Sequence, residues 1–225
     1  NPKKTYVSQT EKDEYGNSKE NKIVRPLGKF EWEIESLSHY KKNTFYYVMY
    51  KPSASDKENI GKQVYIDIMN NSKKYIHIMT PYLILDSDTV CTLKYVAKRG
   101  VSVKIITPHI PDKKYVYYLA HSHYKDLISN GIEIYEYTPG FVHAKMFVSD
   151  DMKAVVGTIN LDFRSLYLHW EDAVYFYGNS VVHSVEKDFV ETLSKCQKIS
   201  LEDCKKFPLF DKVAGKILRL IAPLM

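Results

Sequence analysis

The sequence predicts an α/β domain built on a mixed β-sheet, and three observations carry that prediction. Between residues 60 and 137, stretches with apolar residues at helical spacing alternate with short β-rich runs. The segments joining those runs are long enough for the crossovers that parallel strands require. After Pro139 and Gly140 the runs crowd together, as antiparallel neighbours do.

Residues 1–22 are rich in Lys, Glu, Asn and Ser and show neither period, so a mobile arm or linker is expected there, extending to about residue 44. "TFYYVMY" predicts a strand at Phe45–Tyr50, and "KPSASDKEN" punctuates it. "IGKQVYIDIMNNS" places Ile60, Val64 and Ile68 at helical spacing, and "KYIHIMTPYLI" reads as the next strand. Asp86 or Asp88 caps a helix through "TVCTLKYVAKRG", whose basic last turn and Gly100 are stop signals. "VSVKIIT" is a strand, "PDKKYVYYLAHSHYKDLISNG" a helix closed by Gly131, and "IEIYEY" a strand. Strands at 141–148, 153–157 and roughly 170–177 follow, then a helix capped by Asn179 or Ser180 with Val182, Val185, Phe189 and Leu193 on one stripe.

With 44% hydrophobic residues, the 225-residue chain can bury one sizeable core. Its 32 Lys plus Arg against 27 Asp plus Glu leave a net charge of +5, which favours an anionic partner without choosing between lipid and nucleic acid. Cys91, Cys196 and Cys204 are an odd number without metal-ligand spacing, so a reducing compartment is expected and neither a disulfide framework nor a zinc site. No signal peptide and no run of membrane-spanning length is seen, and the opening Asn1 suggests a fragment or a processed chain. The 19 Tyr fall in strand-like runs, where most serve as core residues with the hydroxyl at an edge.

The stretch "FVHAKMFVSDDMKAVVGTIN" carries the chemistry. In a strand, Val142, Ala144, Met146 and Val148 face one way while His143 and Lys145 project together on the other. A bare H-x-K is most often a solvated strand face, and the chain itself shows why. His39/Lys41 is followed by Tyr46, and His123/Lys125 by Asn130, where an aspartate is needed. Only His143 continues as H-x-K-x4-D-x6-G-T-x-N, through Lys145, Asp150, Gly157, Thr158 and Asn160.

This pattern resembles the HKD motif of the phospholipase D superfamily. "TPYLI", "KRGVSVKIITPHIPDKK", "GIEIYEYTPGFVHAK", "VVGTINLDFRSLYLHWE" and "LEDCKKFPL" narrow the resemblance to the carboxy-terminal half of a bacterial cardiolipin synthase, over about residue 45 to the end. It implies a phospholipase D-like domain over 45–205, with helices on both faces of the mixed sheet, and an amphipathic tail helix over 206–225. The implied reaction is phosphatidyl transfer between two phosphatidylglycerol molecules through a phosphohistidine, giving cardiolipin and glycerol. No metal or cofactor is implied, because Lys, Asn and protonated His can handle the charge.

His143 fits a nucleophile or an acid, Lys145 supplies point charge and Asn160 an amide donor. Gly157 allows close backbone approach and Thr158 adds a hydroxyl. Asp150 belongs to the motif but sits where a turn residue is expected, so structural or electrostatic support is its expected part, with Asp151 equally suited to the turn. Glu171 is the expected acceptor for the second ring nitrogen of His143, with Asp172 the weaker choice because it faces the other way. Arg164, Ser165 and Tyr82 are candidate substrate contacts, and His109 could line a cleft.

Family enzymes join two such motifs in one site, and this chain holds one. The expected partner is an upstream half of a longer parent at the bacterial cytoplasmic membrane, or a second copy about a twofold axis. In "DKVAGKILRLIAPLM", Val213, Ile217, Leu220 and Ile221 lie near one face with Lys212, Lys216 and Arg219 beside them, as on a helix resting on an anionic membrane or packed on the domain. Competing readings are a phospholipase D-type phosphodiesterase or nuclease, and a catalytically incomplete half that binds anionic lipid. Nucleic acid is the less expected partner.

Overall fold

The computed structural model describes residues 59–222 and, before them, the strands β1 (Val7–Lys12), β2 (Ser18–Ile23), β3 (Arg25–Leu27), β4 (Glu31–Glu33) and β5 (Phe45–Tyr50). The expected punctuation at residues 51–58 and the last three residues of the tail lie outside that description. In the stretch expected to be a polar arm or linker, β1 pairs with β2 and β3 with β4 as antiparallel hairpins. Backbone pairing does not require the apolar alternation by which a buried strand is read from sequence.

The remaining elements follow in order: α1 (Ile60–Asn71), β6 (Tyr75–Met79), α2 (Ser87–Lys98), β7 (Ser102–Pro108), α3 (Lys114–Ser129) and β8 (Glu133–Tyr137). After them come β9 (Met146–Ser149), β10 (Lys153–Gly157), β11 (Asp172–Tyr177), α4 (Ser180–Leu193), β12 (Cys196–Ile199), α5 (Leu201–Lys206) and α6 (Leu209–Ile221). Eight strands form one sheet in the order β12-β8-β7-β6-β9-β10-β11-β5, parallel across β6, β7 and β8 and antiparallel elsewhere. The class is α/β with a mixed sheet, as the sequence predicts.

Alternation along the strands divides the core. Ile76, Ile78, Val103, Ile105, Phe147 and Val155 face α1, α2 and α3, which contribute Tyr65, Ile68, Leu93, Val96, Tyr124 and Leu127. Met79, Ile106, Met146, Val148 and Ala154 face the opposite way and meet Val182 and Phe189 of α4. Helices thus cover both faces.

Caps decide the helix starts. Asp86, not Asp88, caps α2 by accepting from Thr89 N at 2.8 Å, and Asn179 caps α4 by accepting from Val181 N at 3.0 Å. Asp86 also pairs with Lys62 at 2.8 Å and accepts from the Tyr167 hydroxyl. That pins α1 to α2 and to the segment after β10.

Two expected boundaries shift. The strand predicted for 141–148 begins only at Met146, because residues 141–145 have no ladder partner and cross into the sheet as irregular chain. The strand predicted from about residue 170 begins at Asp172, and β12 appears at the far edge, where the sequence pattern is weakest.

Candidate active site

Register gathers the motif at one end of the sheet. Met79 lies opposite Met146 and Gly157 opposite Ala173, so the exits of β6 and β10 and the entries of β9 and β11 share an edge. The exits of β7 and β8 lie there too. Ligands of open α/β sheets bind beyond these carboxyl ends of parallel strands.

His143 and Lys145 do not project together as expected. Without strand alternation at 141–145, the His143 side chain is exposed beside the Phe141 ring while Lys145 turns inward and is only 9% exposed. Lys145 Nζ donates to the His143 carbonyl at 2.6 Å. Burial pulls its ammonium pKa down, the carboxylates of Glu171 and Asp162 oppose that, and the outcome lies below the ordinary 10.5.

The turn after β10 forms the opposite wall. Gly157 N–H donates to the Lys145 carbonyl at 3.2 Å, and Thr158 N–H to the Asp172 carbonyl at 2.9 Å. The Thr158 hydroxyl donates to Glu171 Oε2 and accepts from Asp172 N at 3.0 Å. Asp172 contributes its backbone and leaves its side chain exposed. Asn160 Nδ2 donates to Ser165 Oγ at 3.1 Å, while its Oδ1 is buried with no partner among the described residues.

The expected hydrogen bond between Glu171 and the His143 ring is absent among the described residues. Glu171 precedes β11 rather than lying on it, and the Thr158 hydroxyl takes one oxygen while the other lies 3.7 Å from His169 Nδ1. Asp150 lies at the far end of β9, roughly 16 Å along the chain from Lys145 at 3.3 Å per residue. There it adopts φ 57° and accepts from Lys73 N at 2.7 Å and from Lys74 N and Tyr75 N at 2.9 Å. Arg164 Nε donates to His169 Nε2 at 3.0 Å and the Tyr82 hydroxyl to Asp112 at 2.6 Å, so each is engaged locally.

Asp150 gives the first test. Partial burial pushes its carboxyl pKa up, but the amides of Tyr75, Lys73 and Lys74 outweigh that and hold it below the ordinary 3.8. Its contribution is therefore fully present above that value and is lost as pH falls through the lower folded value. Asp150→Ala loses the three acceptor bonds and puts a Cβ residue less suited to positive φ in the turn. A loss of about 2 kcal/mol at neutral pH is expected in urea melts, shrinking in strong acid; equal stability at neutral pH would count against the clamp.

A shallow cleft adjoins this end, lined by Pro81, Thr107, Asp112, Tyr117, Tyr124 and Phe141 among others. Beneath it the buried Glu136 lies 2.7 Å from His109 Nδ1 and 3.0 Å from His121 Nε2 and accepts from Tyr124 at 3.1 Å. Burial raises its pKa, but the two histidines bring it below the ordinary carboxylate value. His109 is thus a half-exposed partner of a buried acid. Among the described residues no group of three or more His, Cys, Asp or Glu is gathered to hold a metal ion.

A family model described as "Cardiolipin synthase, PLD-like domain" matches residues 65–193. The chain belongs to this family. A cardiolipin synthase of Clostridium perfringens is 37% identical over 164 residues, 73% of this chain and 34% of that protein. An uncharacterized Streptococcus mutans protein is 48% identical over 180 residues, 80% of this chain and 39% of that one. The chain therefore spans about a third to two-fifths of the length of these relatives. Phosphatidylserine synthase of Haemophilus influenzae has a similar fold, with TM-score 0.66 and 18% identity over 88% of this chain and 49% of that one. Nuc of Salmonella typhimurium, a phospholipase D family member, has TM-score 0.59 and 18% identity over 70% of this chain and 99% of that one. At such identity the likeness is one of fold, the phospholipase D fold.

Sequence reasoning about this PLD-like domain missed Asp162 and Tyr65. Asp162 is buried, acts on the Lys145 ammonium and accepts from Ser165 N at 2.8 Å. Its position two residues past Asn160 in "NLDF" is the only sequence signal it offers. Tyr65 is fully buried near Glu171 and donates to the Ile159 carbonyl at 3.1 Å, and it reads in sequence as an ordinary core aromatic.

Proposed function

We propose that this chain supplies one half of a phosphatidyltransferase site that joins two phosphatidylglycerol molecules into cardiolipin and releases glycerol. The observation that carries the reading is an exposed His143 imidazole beside the inward-turned Lys145, within the segment matched by the cardiolipin synthase family model.

The other half comes from a second HKD motif, upstream in a longer parent or in a second copy about a twofold axis. A histidine of that half attacks the phosphorus of the donor, and a P–N bond forms as the P–O bond to glycerol breaks. Protonated His143 gives its proton to the departing glycerol oxygen. Neutral His143 then takes the proton of the acceptor's hydroxyl as that oxygen attacks the phosphohistidine, which restores both histidines.

Lys145 meets the charge on the phosphoryl oxygens. Among the described residues its ammonium makes one hydrogen bond, to the His143 carbonyl, which leaves two N–H groups for substrate. A half-turn of the Asn160 amide lets Ser165 donate to Oδ1 and puts an N–H donor where an unpartnered oxygen now stands. Glu171 and Thr158 hold this wall together, and the Glu171 carboxylate helps to keep Lys145 charged against its burial.

Incubating the protein that contains both motifs with 32P-labelled phosphatidylglycerol, quenching in alkali and mapping the label tests the assignment. Label on the partner histidine is expected, retained in His143→Ala. Label on His143 itself would overturn its role as acid and base, and phosphatidic acid as sole product would favour hydrolysis over transfer.

A further inference from the structure

We infer that α6 docks the domain on an anionic phospholipid surface through the face it turns away from the protein. At 100° per residue, Gly215, Leu218 and Ala222 fall within one arc of about 60°. Gly215 and Ala222 are buried and Leu218 partly so, and these three seat the helix. The approach is close, since a Cβ on Gly215 would lie 2.4 Å from the Tyr118 carbonyl of α3. On the other side Leu209, Leu220, Val213, Ile217, Phe210 and Ile221 span an arc of about 120°.

All six are exposed, Phe210 by 72% and Leu220 by 81%. A helix already seated by one face has no need of an apolar outer face for folding, and an exposed apolar stripe of this kind marks an interaction surface. The charges select the partner. Lys216, Lys212 and Arg219 line one border of the arc, Asp211 lies on the far side, and no carboxylate pairs with the three cations among the described residues. A protein partner would need a matching acidic rim around an apolar groove, whereas an anionic bilayer offers apolar depth beneath a negative plane to any such helix.

The position suits a lipid substrate. Leu218 and Ala222 pack in one cluster with Tyr82 and Phe163, which flank the end of the sheet that holds the motif. The inference rests on the lipid-substrate reading for its purpose and on α6 for its physics, so the two can fail separately.

Flotation of the full chain with phosphatidylglycerol/phosphatidylcholine vesicles, compared with pure phosphatidylcholine, tests it. Wild-type chain is expected to float with the anionic vesicles and to be released by high salt. Val213→Glu with Ile217→Glu is expected to lower partitioning at least about tenfold, and Lys216→Glu with Arg219→Glu to abolish the preference for anionic vesicles. Unchanged thermal melting would show that the variants remain folded. Wild-type chain that does not float, or variants that float equally, would overturn the inference. So would a dimer by light scattering that Val213→Glu with Ile217→Glu splits without changing flotation, because a second copy would then be the occupant. His143→Ala is expected to float like wild type, so failure of the transfer reading leaves the docking result standing.

Discussion

His143→Ala is expected to lower phosphatidyl transfer by about a thousandfold, within the range that positioned proton transfer contributes, while leaving the melting temperature within about a degree. The two halves have one structural origin. The ring is exposed on irregular chain and makes no hydrogen bond among the described residues, so its removal creates neither a cavity nor an orphaned group. The carbonyl that anchors Lys145 belongs to the backbone and survives the substitution. An equal fall in rate and melting temperature would mean that the residue acts through the fold, and a near-normal rate would remove His143 from the chemistry. Measuring transfer on saturating phosphatidylglycerol vesicles separates a kcat effect from weaker binding.

Gly157→Ala is expected to produce the largest stability loss among single-methyl additions in the site, about 3 kcal/mol, or a fall in melting temperature of about 10 °C. A Cβ there would lie 2.3 Å from the Asp172 carbonyl, 2.4 Å from Ala173 Cβ and 2.5 Å from Ala173 Cα. Most of the obstruction is backbone, so no rotamer change relieves it and β11 must move. That movement carries Glu171 away from Thr158 and alters the field at Lys145, so transfer should fall even where the protein stays folded. Urea denaturation with parallel rate measurement checks both effects. A variant as stable as wild type would show that β11 yields easily.

What could be read from the sequence was whatever depends on local period or fixed spacing. Ile60, Val64 and Ile68 announced α1, the pair Asn179 and Ser180 announced the start of α4, and the run from His143 to Asn160 stood apart from the matches at His39 and His123. Quantities that depend on partners far along the chain were not readable. The inward turn of Lys145 arises because residues 141–145 have no ladder, and the acceptor role of Asp150 because β6 starts beside it. Glu171 was expected beside the His143 ring, but starting β11 about two residues later than expected gives its carboxylate to Thr158. The seating of α6 could not be chosen over an exposed lie from its own residues, since Gly215 gains meaning only from the carbonyl of Tyr118.

The segment Arg164–Leu168 is a wide π-helical turn, closed by a bond of 2.7 Å from His169 N to the Arg164 carbonyl. It meets Asn160 through Ser165 and, two residues later, Asp86 and Lys62 through Tyr167, then delivers Glu171 to Thr158. These appointments depend on phase rather than on side-chain chemistry. Deleting one residue from the turn rotates everything downstream by about 100° and withdraws the carboxylate from the wall. Substitutions on the rim of this corner can be absorbed singly, but a change of chain length cannot. Through evolution its length should therefore drift more slowly than its composition.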